Sequence, residues 1–297
     1  MPLVGIKGIL TEARRRRYGV LSLLGGNLDM VIGQVAAAEE LRAPLILAFN
    51  QEVTPEVPLE LAMPMLVNIA SRAKVPVATT LDHGDSLESV VRAIHLGSSS
   101  VMFDGSALPY EENVKQTKEV VRVAHALGVS VEAELGSIAG SAAETGGAVP
   151  LVAAPDDDGP SSAFTDPESA LAFVERTGVD ALAISFGNVH GTYRGEPSLD
   201  LGLVREIYTL VDVPLVMHGA SGLADSEYQR IVEAGISKVC YYTAMGRRAA
   251  ADIRSMLVDD AGQDGAVYHQ IISRAISSFR ADTERVMALV GCIGTCT

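Results

Sequence analysis

Residues 74–106 read KVPVATTLDHGDSLESVVRAIHLGSSSVMFDGS, and this stretch sets the pattern for the whole chain. An apolar run leads to Asp82 and His83, a helical pattern ends at Gly97, and a second apolar run ends at Asp104. A strand, a helix and a second strand in this order are typical of a parallel βαβ unit. Polar side chains at the end of a buried strand cost free energy unless they are paired, hydrogen-bonded or metal-bound. The strand ends are therefore the first candidates for a functional site.

The same alternation of apolar runs and helical patterns continues along the whole chain. The β-rich runs lie at residues 18–26, 43–49, 74–81, 98–106, 129–137, 179–187, 213–219 and 236–243. Eight such units separated by helices predict an α/β fold, a parallel TIM (β/α)8 barrel, and the tail at residues 244–290 predicts two C-terminal helices. No linker-like segment divides the runs, so we expect a single domain over residues 1–297.

The carboxyl ends of the predicted strands carry most of the candidate catalytic residues. Active sites of such barrels form at these ends, which here bear Asn50, Asp82, His83, Asp104, Glu134, His190, His218 and Thr243. Three histidines from separate strand ends equal the ligand number of a catalytic zinc site with one open position. A divalent metal there would be a Lewis acid that holds a carbonyl oxygen and stabilises an adjacent enediolate. Asp82 would act as a general acid/base or orient a histidine ligand.

Composition and charge exclude several other classes of function. The net charge of -14 argues against nucleic acid as a partner, because phosphate binding requires a basic surface. No apolar run approaches the ~20 residues that span a bilayer, so we expect no membrane association. An odd count of three cysteines without a secretory segment favours a reducing cytoplasm. His95, His125 and His269 lie in helical patterns, and we expect no catalytic role for them.

Residues 136–165 form the one long predicted loop, rich in Gly, Ala, Pro and Asp. A loop of this length inside a compact domain is usually functional or disordered. We favour a mobile active-site lid over a mere insertion. Its one glutamate, Glu144, would reach the site when the lid closes.

The motifs taken together resemble a known enzyme family. LDHGDS, VMFDGS, SVEAELG, a Gly-rich loop, GNVHGTYRGEP, VPLVMHGASGL and ISKV followed by Thr243 occur in the order and at the intervals of class II fructose-bisphosphate and tagatose-bisphosphate aldolases. The resemblance covers about residues 5–290 and implies a zinc-dependent TIM barrel. It also implies a homodimer or homotetramer that cleaves a ketose phosphate into dihydroxyacetone phosphate and an aldehyde.

The resemblance implies roles for the matching residues. The implied metal site consists of His83, His190 and His218, with Glu134 for an alternate metal position and Asp104 in support. Asp82 resembles the acid/base that deprotonates the hydroxyl at which C–C cleavage starts, and Glu144 falls in the loop of the proton-shuttling glutamate. The implied phosphate and monovalent-cation (Na⁺ or K⁺) region consists of Gly191, Gly219, Ser221 and Thr243. Further substrate contacts are expected from Asn27, Asn50, Cys240 and Tyr242.

The chain departs from the family pattern along the substrate wall. Family members typically read VPAFN at the first strand, whereas this chain reads VLSLL and places Leu24 at the Asn position. Cys240 stands at a substrate-contacting Asn, Tyr242 at a small or acidic position, and Gly84 where His or Cys is usual. These changes argue against fructose 1,6-bisphosphate or tagatose 1,6-bisphosphate as the preferred substrate.

Two alternatives remain open from the sequence. A metal-dependent sugar-phosphate isomerase or epimerase would keep the metal and the enediolate without C–C cleavage. A non-catalytic sugar-phosphate-binding protein would explain the altered substrate wall, although it would give the three histidines little reason to stay together.

Overall fold

Eight parallel strands form a closed barrel in which each strand pairs with its neighbours in chain order. The computed structural model describes residues 2–138, 164–191, 193, 195–259 and 266–296. Leu21 in the first strand pairs with Leu45 on one side and with Val239 of the last strand on the other, which closes the barrel. The predicted (β/α)8 barrel is therefore confirmed.

The strands coincide with the eight apolar runs. Their bounds are β1 (Val20–Leu24), β2 (Leu45–Phe49), β3 (Val77–Gly84), β4 (Ser100–Phe103), β5 (Ser130–Leu135), β6 (Ala181–Ile184), β7 (Leu215–Met217) and β8 (Ile236–Tyr241). Parallel strands covered by helices are buried on both faces and need continuous apolar sequence. All five residues of β2, for example, are buried.

Ten helices are assigned within the described residues. Their bounds are α1 (Ile6–Arg16), α2 (Leu28–Leu41), α3 (Leu59–Arg72), α4 (Leu87–His95), α5 (Tyr110–Ala126), α6 (Pro167–Thr177), α7 (Leu201–Leu210), α8 (Asp225–Ala234), α9 (Thr243–Asp259) and α10 (Tyr268–Leu289). The two predicted C-terminal helices are α9 and α10. None of the described helices is both long and apolar enough to cross a membrane.

Side-chain caps set several helix starts. Ser86 accepts a hydrogen bond from Ser89 N at the start of α4, and Asp166 accepts one from Ser169 N at the start of α6. At the start of α2, the side chain of Asn27 accepts a hydrogen bond from Met30 N, so Asn27 caps this helix.

The last helix, α10, packs against α2 on the outside of the barrel at a very short distance. A Cβ atom on Gly33 of α2 would lie 2.5 Å from the backbone oxygen of Ile276 in α10. Glycine at this position allows the two helix backbones to approach, and α10 thereby covers the side of the barrel next to β1.

Candidate metal centre

Three imidazoles converge at the carboxyl end of the barrel. His83 lies at the end of β3, His190 in the segment after β6, and His218 directly after β7. The ring centroids are 5.0 Å apart for His83 and His190, 4.5 Å for His83 and His218, and 5.7 Å for His190 and His218. One ring nitrogen from each lies within 4.8 Å of the others. The structure thus brings together the three histidines that the sequence singled out.

An irregular end of β3 aims His83 at this cluster. The pairing of β3 with β4 shifts register between Leu81 and Gly84, and His83 has a left-handed backbone with φ of 52°. This conformation is uncommon for a non-glycine residue, and such residues cluster at active sites as well as at helix ends. A Cβ on Gly84 would lie 2.7 Å from Met102 O, so this backbone leaves no space for the larger residue found in the related family.

Asp104 is hydrogen-bonded to the ring nitrogen of His83 that does not face His218. The Oδ2 atom of Asp104 lies 2.8 Å from His83 Nδ1, while His83 Nε2 faces His218 Nδ1 at 3.1 Å. Burial opposes a charge on His83, but Asp82 and Asp104 outweigh it and raise its pKa to about 9. Burial likewise opposes ionisation of Asp104, yet His83 holds the pKa of this carboxyl below its usual range.

His218 is hydrogen-bonded to a buried ion pair. His218 Nε2 lies 3.0 Å from Glu132 Oε1, and the other oxygen of Glu132 lies 2.5 Å from Lys238 Nζ. Burial would raise the pKa of Glu132, but Lys238 and His218 lower it to about 2. This arrangement was not predicted from the sequence. The signal was present, because Lys238 interrupts the apolar run of β8 and Glu132 alternates with Glu134 on β5.

Two other carboxylates at the site have unsatisfied oxygens. Asp82 Oδ1 and Glu134 Oε2 are buried and lack a hydrogen-bond partner among the described residues. Burial raises the pKa of Glu134 to about 8. Glu134 also shares a second cluster with His83 and Asp104, again with ligand atoms within 4.8 Å. Imidazole nitrogens beside orphaned carboxylate oxygens form a donor set that suits a divalent cation such as zinc.

The three histidines line an open cavity. Its lining includes the predicted residues Asp82, His83, His190, Gly191, His218, Gly219, Ser221, Cys240, Tyr242 and Thr243. Leu24, Ala48 and Val53 form an apolar part of the wall. The thiol of Cys240 lies 4.0 Å from His218 Nε2, and burial raises its pKa above the usual range. Cys240 therefore presents a neutral thiol beside the histidine cluster.

The glycine-rich turns after β6 and β7 approach each other on another side of the cavity. Gly219 has a φ of 74°, and a Cβ there would lie 2.0 Å from Val189 O, so only glycine fits. Ser221 Oγ accepts hydrogen bonds from Tyr242 N and Ala244 N at the start of α9. Thr243 is the first residue of α9. These residues surround a helix N-terminus, which is a favourable environment for an anion.

Two of the predicted substrate contacts, Asn27 and Asn50, do not line this cavity. Asn27 is exposed and caps α2. Asn50 is buried in an adjacent cavity that shares Leu24 and Tyr242 with the first, and its Oδ1 accepts a hydrogen bond from Glu52 N. Glu144, together with most of the loop at 136–165, falls outside the described residues. His95, His125 and His269 lie on helices, as predicted.

Known proteins share sequence and fold with this chain over most of its length. The family described as fructose-bisphosphate aldolase class-II matches residues 4–295. The chain is 37% identical over 268 residues to a fructose-bisphosphate aldolase of Geobacillus stearothermophilus, covering 88% of each protein. It is 36% identical over 243 residues to the uncharacterized protein YdjI of Escherichia coli (strain K12), covering 82% of this chain and 84% of that one. The crystal structure of the YdjI aldolase from Escherichia coli K12 superposes with a TM-score of 0.85 at 32% identity, covering 99% of this chain and 100% of that chain.

Proposed function

The chain belongs to the class-II fructose-bisphosphate aldolase family, and we propose that His83, His190 and His218 hold the divalent metal, zinc, of its active site. Proteins of this family are aldolase-type lyases and are generally metal-dependent. The observation that carries the assignment is the convergence of three ring nitrogens within 4.8 Å at the floor of the cavity. Bound there, zinc would supply a Lewis acid for a substrate carbonyl oxygen. Family membership favours this activity over the isomerase and binding-protein alternatives.

Asp82 is the general acid/base of the proposed reaction. Asp82 is 8% exposed and lines the cavity. Its Oδ1 atom has no hydrogen-bond partner among the described residues. Removal of the hydroxyl proton next to the scissile C–C bond requires a carboxylate oxygen that is free to accept it. Glu134 and Asp104 support the metal site from the side of His83. The role of Glu144 as the proton shuttle of the loop stays a prediction.

The substrate of the proposed reaction is a ketose phosphate, with dihydroxyacetone phosphate as the ketone product. Gly191, Gly219, Ser221 and Thr243 would hold its phosphate, together with a monovalent cation, because they surround the N-terminus of α9. Asn27 and Asn50 stay predicted substrate contacts, at a greater distance from the cavity. By resemblance to the family, we also propose a homodimer or homotetramer located in the cytoplasm.

The rest of the substrate would contact the side of the cavity at which this chain departs from the family pattern. Leu24 and Tyr242 line both the main cavity and its neighbour, and Cys240 lies beside the histidines. An aliphatic side chain and a neutral thiol provide fewer hydrogen bonds than the asparagines they replace. This supports a preferred substrate other than fructose 1,6-bisphosphate or tagatose 1,6-bisphosphate.

Solvent exchange of dihydroxyacetone phosphate tests the proposal. The purified protein in deuterated water should exchange the substrate's carbon-bound proton, lose this activity with a chelator, and regain it with zinc. Exchange that survives complete metal removal would contradict the metal-dependent mechanism. Bound zinc without exchange would contradict dihydroxyacetone phosphate as the ketone, and a protein that binds no zinc would overturn the whole proposal.

A further inference from the structure

A chain of buried polar groups crosses the barrel interior beneath the histidine cluster. His218 follows β7, Glu132 lies on β5, and Lys238 lies on β8. The side-chain exposures are 2% for His218 and 0% for both Glu132 and Lys238. Across the described residues, Glu132 Oε2 is the one hydrogen-bond acceptor for Lys238 Nζ, at 2.5 Å. The ammonium group is thus dedicated to a single carboxylate.

This ion pair is poorly explained by stability alone. Removing two charges from water is costly, and buried ion pairs can often be replaced by apolar side chains of similar volume without loss of stability. Four of the six β8 residues are apolar or aromatic and the exceptions are Ser237 and Lys238, so the rest of the strand suits a hydrophobic barrel. The position of the pair points to its purpose, because the second oxygen of Glu132 lies 3.0 Å from His218 Nε2.

The hydrogen-bonding capacity of Glu132 determines where the proton of His218 lies. An ionised carboxylate only accepts hydrogen bonds, and Lys238 keeps Glu132 ionised by pairing with it. His218 Nε2 must then carry the hydrogen, which leaves the lone pair on Nδ1. Asp104 acts on His83 from the opposite nitrogen: it accepts from Nδ1 and leaves the lone pair on Nε2. A cation bound between the rings would therefore meet a lone pair on each of these two nitrogens, which lie 3.1 Å apart.

We propose that Glu132 and Lys238 are positioning residues that hold His218 in the tautomer whose Nδ1 faces the metal. This inference rests on the proposed function, since it takes His218 as a metal ligand. Glu132 orients the ring directly, and Lys238 acts through Glu132. Neither residue is among those that line the cavity.

A pair of variants separates tautomer control from simple support. In Glu132→Gln, the amide oxygen must face the ammonium of Lys238, so the amide NH₂ group faces His218 Nε2. The ring then switches to the Nδ1–H tautomer, and zinc affinity should fall about 10- to 100-fold. In the double variant Glu132→Gln with Lys238→Met, the amide can turn its oxygen back to His218. Zinc affinity should then recover about tenfold relative to Glu132→Gln alone.

Zinc dissociation constants, measured by competition with a chelating dye, decide the question. Unchanged affinity in Glu132→Gln, or a double variant that binds no more tightly than Glu132→Gln, would overturn the proposal. Asp180→Asn is the matched control: Asp180 is a carboxylate with 2% side-chain exposure, paired with Lys7 and His125 just before β6. That end of the barrel lies away from the metal site, so this variant should keep wild-type zinc affinity.

NMR of the wild-type protein tests the tautomer of His218 without requiring any variant to fold. In protein labelled with ¹⁵N-histidine and loaded with zinc, the His218 resonances should show a protonated Nε2 and a metal-bound Nδ1. A protonated Nδ1 with a metal-bound Nε2 would overturn the tautomer assignment while leaving the metal site intact. Absence of zinc from the wild-type protein would instead contradict the proposed function itself.

Discussion

His83 Nε2 and His218 Nδ1 face each other at 3.1 Å at the floor of the cavity. Two imidazole nitrogens bound to one tetrahedral zinc, each at 2.0–2.1 Å, would lie about 3.3 Å apart. The outer nitrogens are already occupied, His83 Nδ1 by Asp104 and His218 Nε2 by Glu132. The two rings are therefore arranged for a shared cation before one binds.

Loss of any one histidine should empty this site. His83→Ala, His190→Ala and His218→Ala should each abolish detectable activity and reduce bound zinc well below one ion per chain, because two ligands hold zinc weakly. Elemental analysis after dialysis measures the effect. His269→Ala changes an exposed residue of α10 and should retain both zinc and activity. Wild-type activity in any of the three variants would refute the ligand assignment.

Asp82→Asn should separate metal binding from turnover. The amide keeps the shape of the carboxylate but cannot accept the substrate proton, so kcat should fall about 10²- to 10⁴-fold while zinc content stays the same. Asp85→Asn alters an exposed neighbouring carboxylate and serves as the control. A loss of zinc in parallel with activity would mean that Asp82 acts on a histidine ligand instead of the substrate.

Cys240→Asn should change substrate preference. The thiol lines the cavity 4.0 Å from His218 Nε2, and an amide there adds a hydrogen-bond donor and an acceptor. The kcat/KM for fructose 1,6-bisphosphate should rise about fivefold, since one net hydrogen bond contributes about 1 kcal/mol. Cys296→Asn, close to the C-terminus, should leave it unchanged. No change in Cys240→Asn would mean that this wall does not set the preference.

Gly33→Ala should destabilise the packing of α10 on the barrel. The new methyl group would meet Ile276 O at 2.5 Å, and overpacking of this kind costs about 1–3 kcal/mol. Gly8→Ala, in α1, meets nothing within 4 Å and should gain up to about 1 kcal/mol from helix propensity. Denaturant unfolding compares the two variants. A gain of stability in both would contradict the close approach of α2 and α10.

The barrel and the three histidines could be predicted because they depend on local sequence patterns. Apolar runs alternate with helical patterns, and the polar residues at which an apolar run stops mark the strand ends. The cap of α2 could not be decided from the sequence, because Asn27 and Asp29 are both good capping residues and only the bond to Met30 N identifies Asn27.

The support behind the histidines could not be predicted because it depends on distant partners. Glu132 and Lys238 are 106 positions apart in the chain and meet only across the closed barrel. The left-handed backbone of His83 arises from the register shift between β3 and β4, which no residue-by-residue pattern specifies. Sequence patterns thus identified the candidate ligands, whereas the orientation of each ring required the folded barrel.

The position of zinc in a crystal of the protein tests the central claim most directly. Diffraction data collected above and below the zinc absorption edge locate the ion independently of any assumed ligand. We predict an anomalous peak about 2.0–2.1 Å from a ring nitrogen of each of His83, His190 and His218. Absence of a peak between these three imidazoles in zinc-loaded crystals would contradict the assignment.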